Sequence, residues 1–193
     1  MATSGYRTRV AQQYLRVAAV GVRCIRVYDS ALYVTVSPTH LSSFLRRARD
    51  GMGSRYKQRV HLVGVDYPGR VLRFQLVYCL LSVEENSRRF VKCNLSDGSA
   101  AVSSIHVLFP CAVWYEREVW DRRGVVFYGN PDLRRILTDY GFSGHPLRKD
   151  FPLLGYEELR YAESENRVVS EAVEVAQEFR SYEYLSPWTS SGR

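Results

Sequence analysis

Val71-Leu72-Arg73-Phe74-Gln75-Leu76-Val77-Tyr78-Cys79-Leu80-Leu81 is followed, beyond Glu84-Glu85-Asn86-Ser87, by Arg88-Arg89-Phe90-Val91-Lys92-Cys93-Asn94-Leu95. Leu72, Phe74, Leu76, Tyr78 and Leu80 alternate with Arg73 and Gln75, and Val91, Cys93 and Leu95 alternate with Lys92 and Asn94. A period of two marks strands whose faces meet different surroundings. The residues between the runs are turn formers, so the pair predicts neighbouring antiparallel strands with one covered face. Val60 to Val65 reads as a third strand, set off by Tyr67-Pro68-Gly69.

The covered face needs helices, and the flanking sequence supplies candidates. Ser37-Pro38 suits a helix start over Thr39 to Asp50, with Ser as cap, Pro in the first turn, and Gly51 and Gly53 to end it. Leu41, Phe44, Leu45 and Ala48 form its apolar stripe. Val102, Ile105, Leu108 and Phe109 have helical spacing up to Pro110, and a further helix runs through Val113 to Arg122. Upstream, Tyr6 to Val20 reads as a helix, and Val22 to Val27 with Ala31 to Val36 reads as a hairpin about Asp29-Ser30. The fold class is α+β, a mainly antiparallel sheet with helices packed on one face.

Beyond Gly124 only a short helix from Pro131 is expected, with Asn130 as its cap. Gly141, Gly144, Pro146, Pro152 and Gly155 crowd a stretch that also carries Tyr140, Phe142, Phe151, Leu153, Leu154 and Tyr156. The breakers exclude a helix or a central strand, and the large apolar groups argue against disorder. An extended irregular C-terminal arm, held by a surface of its own or of a partner, is the expectation.

The 193 residues are 46% hydrophobic and 24% charged, the composition of a folded globular chain. No apolar run approaches the roughly 18 residues of a membrane-spanning helix. The net charge of +7 divides unevenly, +11 over residues 1–150 and −4 over residues 151–193. Arg outnumbers Lys by 24 to 3, an excess that spans every segment, which we read as genome bias. Before the first acid, Asp29, stand Arg7, Arg9, Arg16, Arg23 and Arg26, an acid-poor start of presequence composition. With Met1 in place, a basic amphipathic first helix is the preferred reading. Interleaved Tyr6, Tyr14, Tyr28, Tyr33 and Tyr56 make a basic nucleic-acid- or ribosome-associated binding module the alternative. The strands lack paired RNA-binding aromatics, however, and neither helix-turn-helix nor zinc-finger spacing occurs. Cys24, Cys79, Cys93 and Cys111 are spaced too irregularly for a metal or redox pair and read as small buried apolar residues in a reducing compartment.

Two charged clusters invite a chemical reading. Glu116, Arg117, Glu118 and Asp121 have the carboxylates of a metal site or an acid/base pair, but on a helix Glu116 and Glu118 face different ways. The same spacing makes Arg117 with Asp121, and Glu118 with Arg122, i,i+4 ion pairs. His145, Arg148, Lys149 and Asp150 have no glycine loop opening a helix and no second histidine nearby. His40, His61, His106 and His145 are scattered, and no metal-ligand or nucleotide fingerprint is present. By these tests the chain binds no cofactor itself.

Residues 114–156 run from Trp114-Tyr115-Glu116-Arg117-Glu118-Val119-Trp120-Asp121 through Asn130-Pro131-Asp132-Leu133-Arg134-Arg135 to Gly144-His145-Pro146-Leu147-Arg148-Lys149-Asp150-Phe151-Pro152. This segment closely resembles the signature of the hydrophilic thirty-kilodalton subunit of respiratory complex I, the NADH:ubiquinone oxidoreductase, known as subunit nine where mitochondrially encoded. Val65-Asp66-Tyr67-Pro68 upstream, and Arg167 to Glu171, Gln177 to Arg180 and Ser186-Pro187-Trp188 downstream, extend the likeness over about residues 60–188.

The resemblance implies a subunit of the peripheral quinone-reducing arm, on the matrix side of the mitochondrial inner membrane. It would pack against the large hydrogenase-like subunit and be non-catalytic by itself within a proton-translocating enzyme. NADH, FMN, iron-sulfur clusters and ubiquinone would lie in partner subunits. It divides the chain into an α+β domain over 1–123, with residues 1–60 divergent and basic, and a signature loop with an extended partner-docking arm over 124–193. Glu116, Arg117, Glu118, Asp121, Arg134, Arg135, His145, Arg148, Lys149 and Asp150 match the signature and are expected to form structural or interface ion pairs. Arg122 and Arg123 join them as departures, standing where the family usually has apolar residues, and Asn130 stands where it usually has His. If Arg122 and Arg123 face a partner, that partner should present acids. The closing Ser186-Pro187-Trp188 looks mitochondrial or alphaproteobacterial, and Met1 suggests organelle encoding.

Overall fold

The expected strands form a single five-stranded sheet from β1 (Val22–Tyr28), β2 (Ala31–Val36), β3 (Gln58–Asp66), β4 (Phe74–Ser82) and β5 (Ser87–Leu95). The computed structural model describes residues 21–28, 31–51, 55–84, 86–97 and 101–180. The strand order is β1-β2-β5-β4-β3; β1 with β2, β3 with β4 and β4 with β5 are antiparallel, and β2 with β5 is parallel. A parallel neighbour needs a long crossover. Here it comprises a 3-10 turn (Pro38–His40), α1 (Leu41–Asp50) and the strands β3 and β4.

Register aligns the inward residues into layers. Leu76 lies opposite Cys93 and Gly64, and Tyr78 lies opposite Val91 and Leu62. All of these are buried. The four stripe residues of α1 are buried as well. α2 (Ala112–Arg123) packs on β3 at Gly64, where an added Cβ would stand 3.0 Å from Val119 Cγ1. The absence of a side chain at Gly64 thus leaves room for the helix side chains of Val119 and Arg123 against the strand.

Several expectations give way to the structure. Ser37 makes no side-chain cap bond; its hydroxyl lies 3.2 Å from that of Thr39, and the first turn is the tighter 3-10 form. Val102, Ile105, Leu108 and Phe109 are all buried, yet they do not form a helix. Ala101–Ser103 is β6, paired in parallel with β7 (Val126–Tyr128), and the Ile105 amide is taken by the Glu116 carboxylate. A spacing of three reported burial, while the amide went to a side chain that a local pattern does not contain. The helix at Pro131 is also absent, and irregular chain runs there instead.

The arm carries the hairpin β8 (Glu157–Ala162) and β9 (Arg167–Ala172), with Asn166 in the left-handed region at φ 53°. Ala162 is buried, but Leu159, Tyr161 and Val168 are exposed. With no covered face, the hairpin had no clear alternation to announce it. The chain divides into two compact units at Phe151/Pro152, so residues 124–151, read from sequence as part of the arm, fold with the first unit. Cys93 is buried, Cys24 and Cys79 are partly so, and Cys111 is exposed, contrary to the uniform burial expected of them. The helix expected over Tyr6 to Val20, the turn at Asp29-Ser30 and the role of Gly53 lie outside the described residues. Among those residues, no helix is long and apolar enough to cross a membrane.

Leu76→Ala should lower stability by about 2–5 kcal/mol in urea unfolding, whereas Val71→Ala, at a side chain 93% exposed, should change it by less than about 0.5 kcal/mol.

Candidate functional site

The signature residues converge on α2. Its C-terminal end leaves carbonyls without helical partners, and the segment that follows returns to satisfy them. His145 Nδ1 lies 2.9 Å from the Asp121 carbonyl, the Leu147 amide donates to the Arg122 carbonyl at 3.1 Å, and Arg148 Nε donates to the Arg123 carbonyl at 2.8 Å. A carbonyl only accepts, so His145 carries its proton on Nδ1. Burial, with Arg148 and Arg135 nearby, pushes the His145 pKa down and keeps the ring neutral near pH 7, against the upward pull of that hydrogen bond. Gly124 ends the helix in the left-handed region at φ 77°, and a Cβ there would meet Arg148 Nη2 at 2.4 Å. The clasp therefore depends on this glycine for both conformation and space.

Asp121 is the centre of the clasp and is fully buried. Its Oδ1 accepts from Arg135 Nη1 at 2.8 Å and the Thr138 hydroxyl at 2.7 Å. Its Oδ2 accepts from the amides of Ile136, Leu137 and Thr138 at 3.3, 2.9 and 3.0 Å. Burial alone would raise this carboxyl's pKa, but Thr138, Leu137 and Arg135 hold it well below the usual carboxylate range. Arg135 extends the clasp to the Gly144 carbonyl at 3.0 Å and lies over Trp120 and Phe142.

Glu116, one face round and also fully buried, ties the N-terminal half of α2 to two other segments. Its carboxylate accepts from the Ile105 amide at 2.9 Å, the Ser104 hydroxyl at 2.5 Å and Asn130 Nδ2 at 2.8 Å. Asn130 Oδ1 accepts from the Asp132 amide at 3.0 Å, an Asx turn in place of the expected helix cap. A third buried carboxylate, Asp66 at the end of β3, receives Arg73 bidentately at 2.8 and 3.0 Å and the Lys149 amide at 2.8 Å. Arg73 first, and then the Lys149 amide, lower the Asp66 pKa against the effect of burial. Arg73 also pairs with Asp97 at 3.0 Å and Asp150 at 2.9 Å.

The expected pairing of Glu118 with Arg122 is present at 2.9 Å. Arg117 does not pair with Asp121: it donates to the Arg134 carbonyl at 3.1 Å and lies 3.8 Å from Asp132, because the buried Asp121 is already enclosed by the 135–138 segment. Arg134 is exposed and pairs with Asp132 at 3.0 Å. Arg123 turns toward Gly64 and Asp66, with its Nη1 buried and without a hydrogen-bond partner, and burial pushes its pKa down. Lys149 joins the site through its backbone, while its side chain is exposed. Asp66, Arg73, Ser104 and Thr138 carry as much of the site as the sequence-predicted residues. Asp66 and Thr138 had a signal, lying in the Val65-Asp66-Tyr67-Pro68 match and in the 114–156 segment, whereas Arg73 and Ser104 had none. Among the described residues no three His, Cys, Asp or Glu side chains gather as a metal ion would need.

This α+β domain is similar in sequence and in fold to known proteins. Residues 34–157 match the family described as the respiratory-chain NADH dehydrogenase, 30 Kd subunit. The chain is 51% identical over 162 residues to an NADH-quinone oxidoreductase subunit of Rhodobacter capsulatus, covering 84% of this chain and 81% of that protein. It is 53% identical over 153 residues to the NADH-ubiquinone oxidoreductase subunit 9 of Prototheca wickerhamii, covering 79% of each. A chain of the membrane-bound sulfane sulfur reductase, an archaeal respiratory membrane complex, superposes with a TM-score of 0.66 at 27% identity, over 77% of this chain and 87% of that one. The trypsin-resistant fragment of Nqo5 shares the fold, with a TM-score of 0.53 at 24% identity over 66% of this chain and 99% of the fragment. The chain belongs to the family of the 30 Kd subunit of respiratory-chain NADH dehydrogenase.

Asn130→Asp should destabilise the protein more than Asn130→Ala in thermal unfolding, since it sets a second carboxylate against buried Glu116; a cap at Pro131 would give the reverse order. Folding lowers the pKa of Asp121 and of Asp66, so the stability they contribute is complete above the ordinary aspartate value near about 4 and is lost as the pH falls below it. Asp121→Asn should cost about 3 kcal/mol at pH 7 and should flatten the acid limb of stability measured by urea unfolding against pH.

Proposed function

We propose that the chain is a structural subunit of the peripheral quinone-reducing arm of NADH:ubiquinone oxidoreductase. It carries no flavin, iron-sulfur cluster or quinone of its own and packs against the large hydrogenase-like subunit. The observation that carries this reading is that the buried carboxylates of the signature, Glu116 and Asp121, together with Asp66, are each engaged by donors of the same chain. Carboxylates so engaged hold segments together; a catalytic acid needs a proton and access to the reacting group, and a base or metal ligand needs a free lone pair. Cys79 and Cys93 lie on opposite faces of the sheet by the alternation of β4 and β5, which argues against a shared cluster.

The second unit supplies the argument for docking. A two-stranded hairpin is marginal alone in water, and this one exposes Leu159, Tyr161 and Val168. An apolar hollow of about 720 Å³, lined by Leu153, Leu154, Tyr156, Val175 and Phe179, lies in the same unit. Such surface fits a partner protein. A mitochondrial inner-membrane location, on the matrix side, is supported by the likeness to the Prototheca wickerhamii subunit 9, and the bacterial relatives are equally similar.

Mild solubilisation of the source membranes, a native gel and mass spectrometry should find this chain in a very large NADH-oxidising band together with a hydrogenase-like subunit. Migration with ribosomal proteins or RNA would overturn the proposal. Arg148→Ala, which removes a donor to the end of α2, should reduce the amount of assembled complex several-fold while leaving turnover per complex nearly unchanged, as measured by band intensity against NADH:quinone activity. Normal assembly with lost quinone reduction would instead place this loop in the reaction.

A further inference from the structure

Cys111 has no part in the clasp. It is an exposed free thiol at the residue that opens the twelve-residue helix α2. Beneath it lies Arg59, a side chain only 6% exposed, turned inward at an irregularity in the pairing of β3 with β4 between Arg59 and His61. Arg59 Nη2 donates to Cys111 Sγ at 3.4 Å, while its Nε and Nη1 are buried without a hydrogen-bond partner. Its guanidinium lies 4.2 Å over the Tyr115 ring, which meets His61 edge to face at 5.1 Å.

A buried guanidinium is costly without an acceptor for its charge. The acceptor that hydrogen bonding provides here is a sulfur, weak as a thiol and far stronger as an anion. The start of a helix also favours negative charge. Two of the other cysteines sit in the opposite setting: burial pushes the Cys93 thiol up to about 12 and raises that of Cys79.

We infer that Cys111 is a reversible thiol-modification site that exchanges with low-molecular-weight disulfides, with Arg59 as the positioning residue that steadies the charged sulfur. The Cys111 thiol loses its proton to solvent, and the thiolate attacks one sulfur of the disulfide. A bond forms between Sγ and that sulfur, the original S–S bond breaks, and its other half leaves as a thiolate that takes up a proton. Cys111 is oxidised, half of the disulfide is reduced, and no further oxidant is needed.

The full chain, in mildly solubilised membranes, is incubated with glutathione disulfide; remaining thiols are blocked with N-ethylmaleimide and adducts are located by peptide mass spectrometry. Cys111 should acquire the glutathionyl adduct about tenfold faster than Cys24, Cys79 or Cys93, and dithiothreitol should remove it. Arg59→Met should slow the reaction about tenfold, and Arg59→Lys, which keeps the charge, should recover much of the rate. Labelling of Cys111 no faster than Cys24, or no adduct at Cys111, overturns the site and requires neither variant to assemble. Equal rates in the parent, Arg59→Met and Arg59→Lys chains overturn the role given to Arg59.

Discussion

A carboxylate buried without charge or hydrogen-bond compensation is too costly to persist, and Asp121 is buried completely. The segment from Arg135 to Thr138 is therefore drawn over it, with three backbone amides, a hydroxyl and a guanidinium converging on its two oxygens. That fixes where the chain leaves α2 and where it returns. The backbone carbonyl of the same residue then meets His145, and the next two carbonyls meet Leu147 and Arg148. A segment of few regular elements thus gains a definite course from the unmet hydrogen-bonding demands of one helix end.

α2 transmits this order to the rest of the first unit. Through Val119 at Gly64 it seats on β3, and through Glu116 it holds the chain at Ser104, Ile105 and Asn130. Asp66 does the same from the strand side, joining Arg73 to the Lys149 amide. Three buried carboxylates on two elements thereby organise segments far apart in sequence. Their engagement fits membership of a family named for a subunit of a respiratory dehydrogenase: a density of charge that resembles an active site in sequence serves as an internal framework.

The layers of the sheet were readable because period-two alternation in β4 and β5 comes from a physical asymmetry, one face buried and one not. The α1 stripe was readable for the same reason at a period near 3.6. Residues 101–109 misled because their apolar spacing recorded burial, while the competing hydrogen-bond acceptor, Glu116, comes from another element. The β8–β9 hairpin escaped notice because it is exposed on nearly every residue and so has no hydrophobic period.

The sequence by itself determined the strands with a covered face, the helix α1, the course of α2, the family resemblance and part of the set of charged residues that matter, Asp66 and Arg73 excepted, since these depend on local pattern and on residue identity. Tertiary structure alone decided which charges meet. Arg117 left its i,i+4 neighbour for the Arg134 carbonyl, Asp121 took Arg135 instead, and Arg73 was recruited to Asp66. The physical reason is burial: an exposed helical ion pair is worth a few tenths of a kcal/mol, whereas a carboxylate removed from water must be satisfied by whatever donors the fold brings to it.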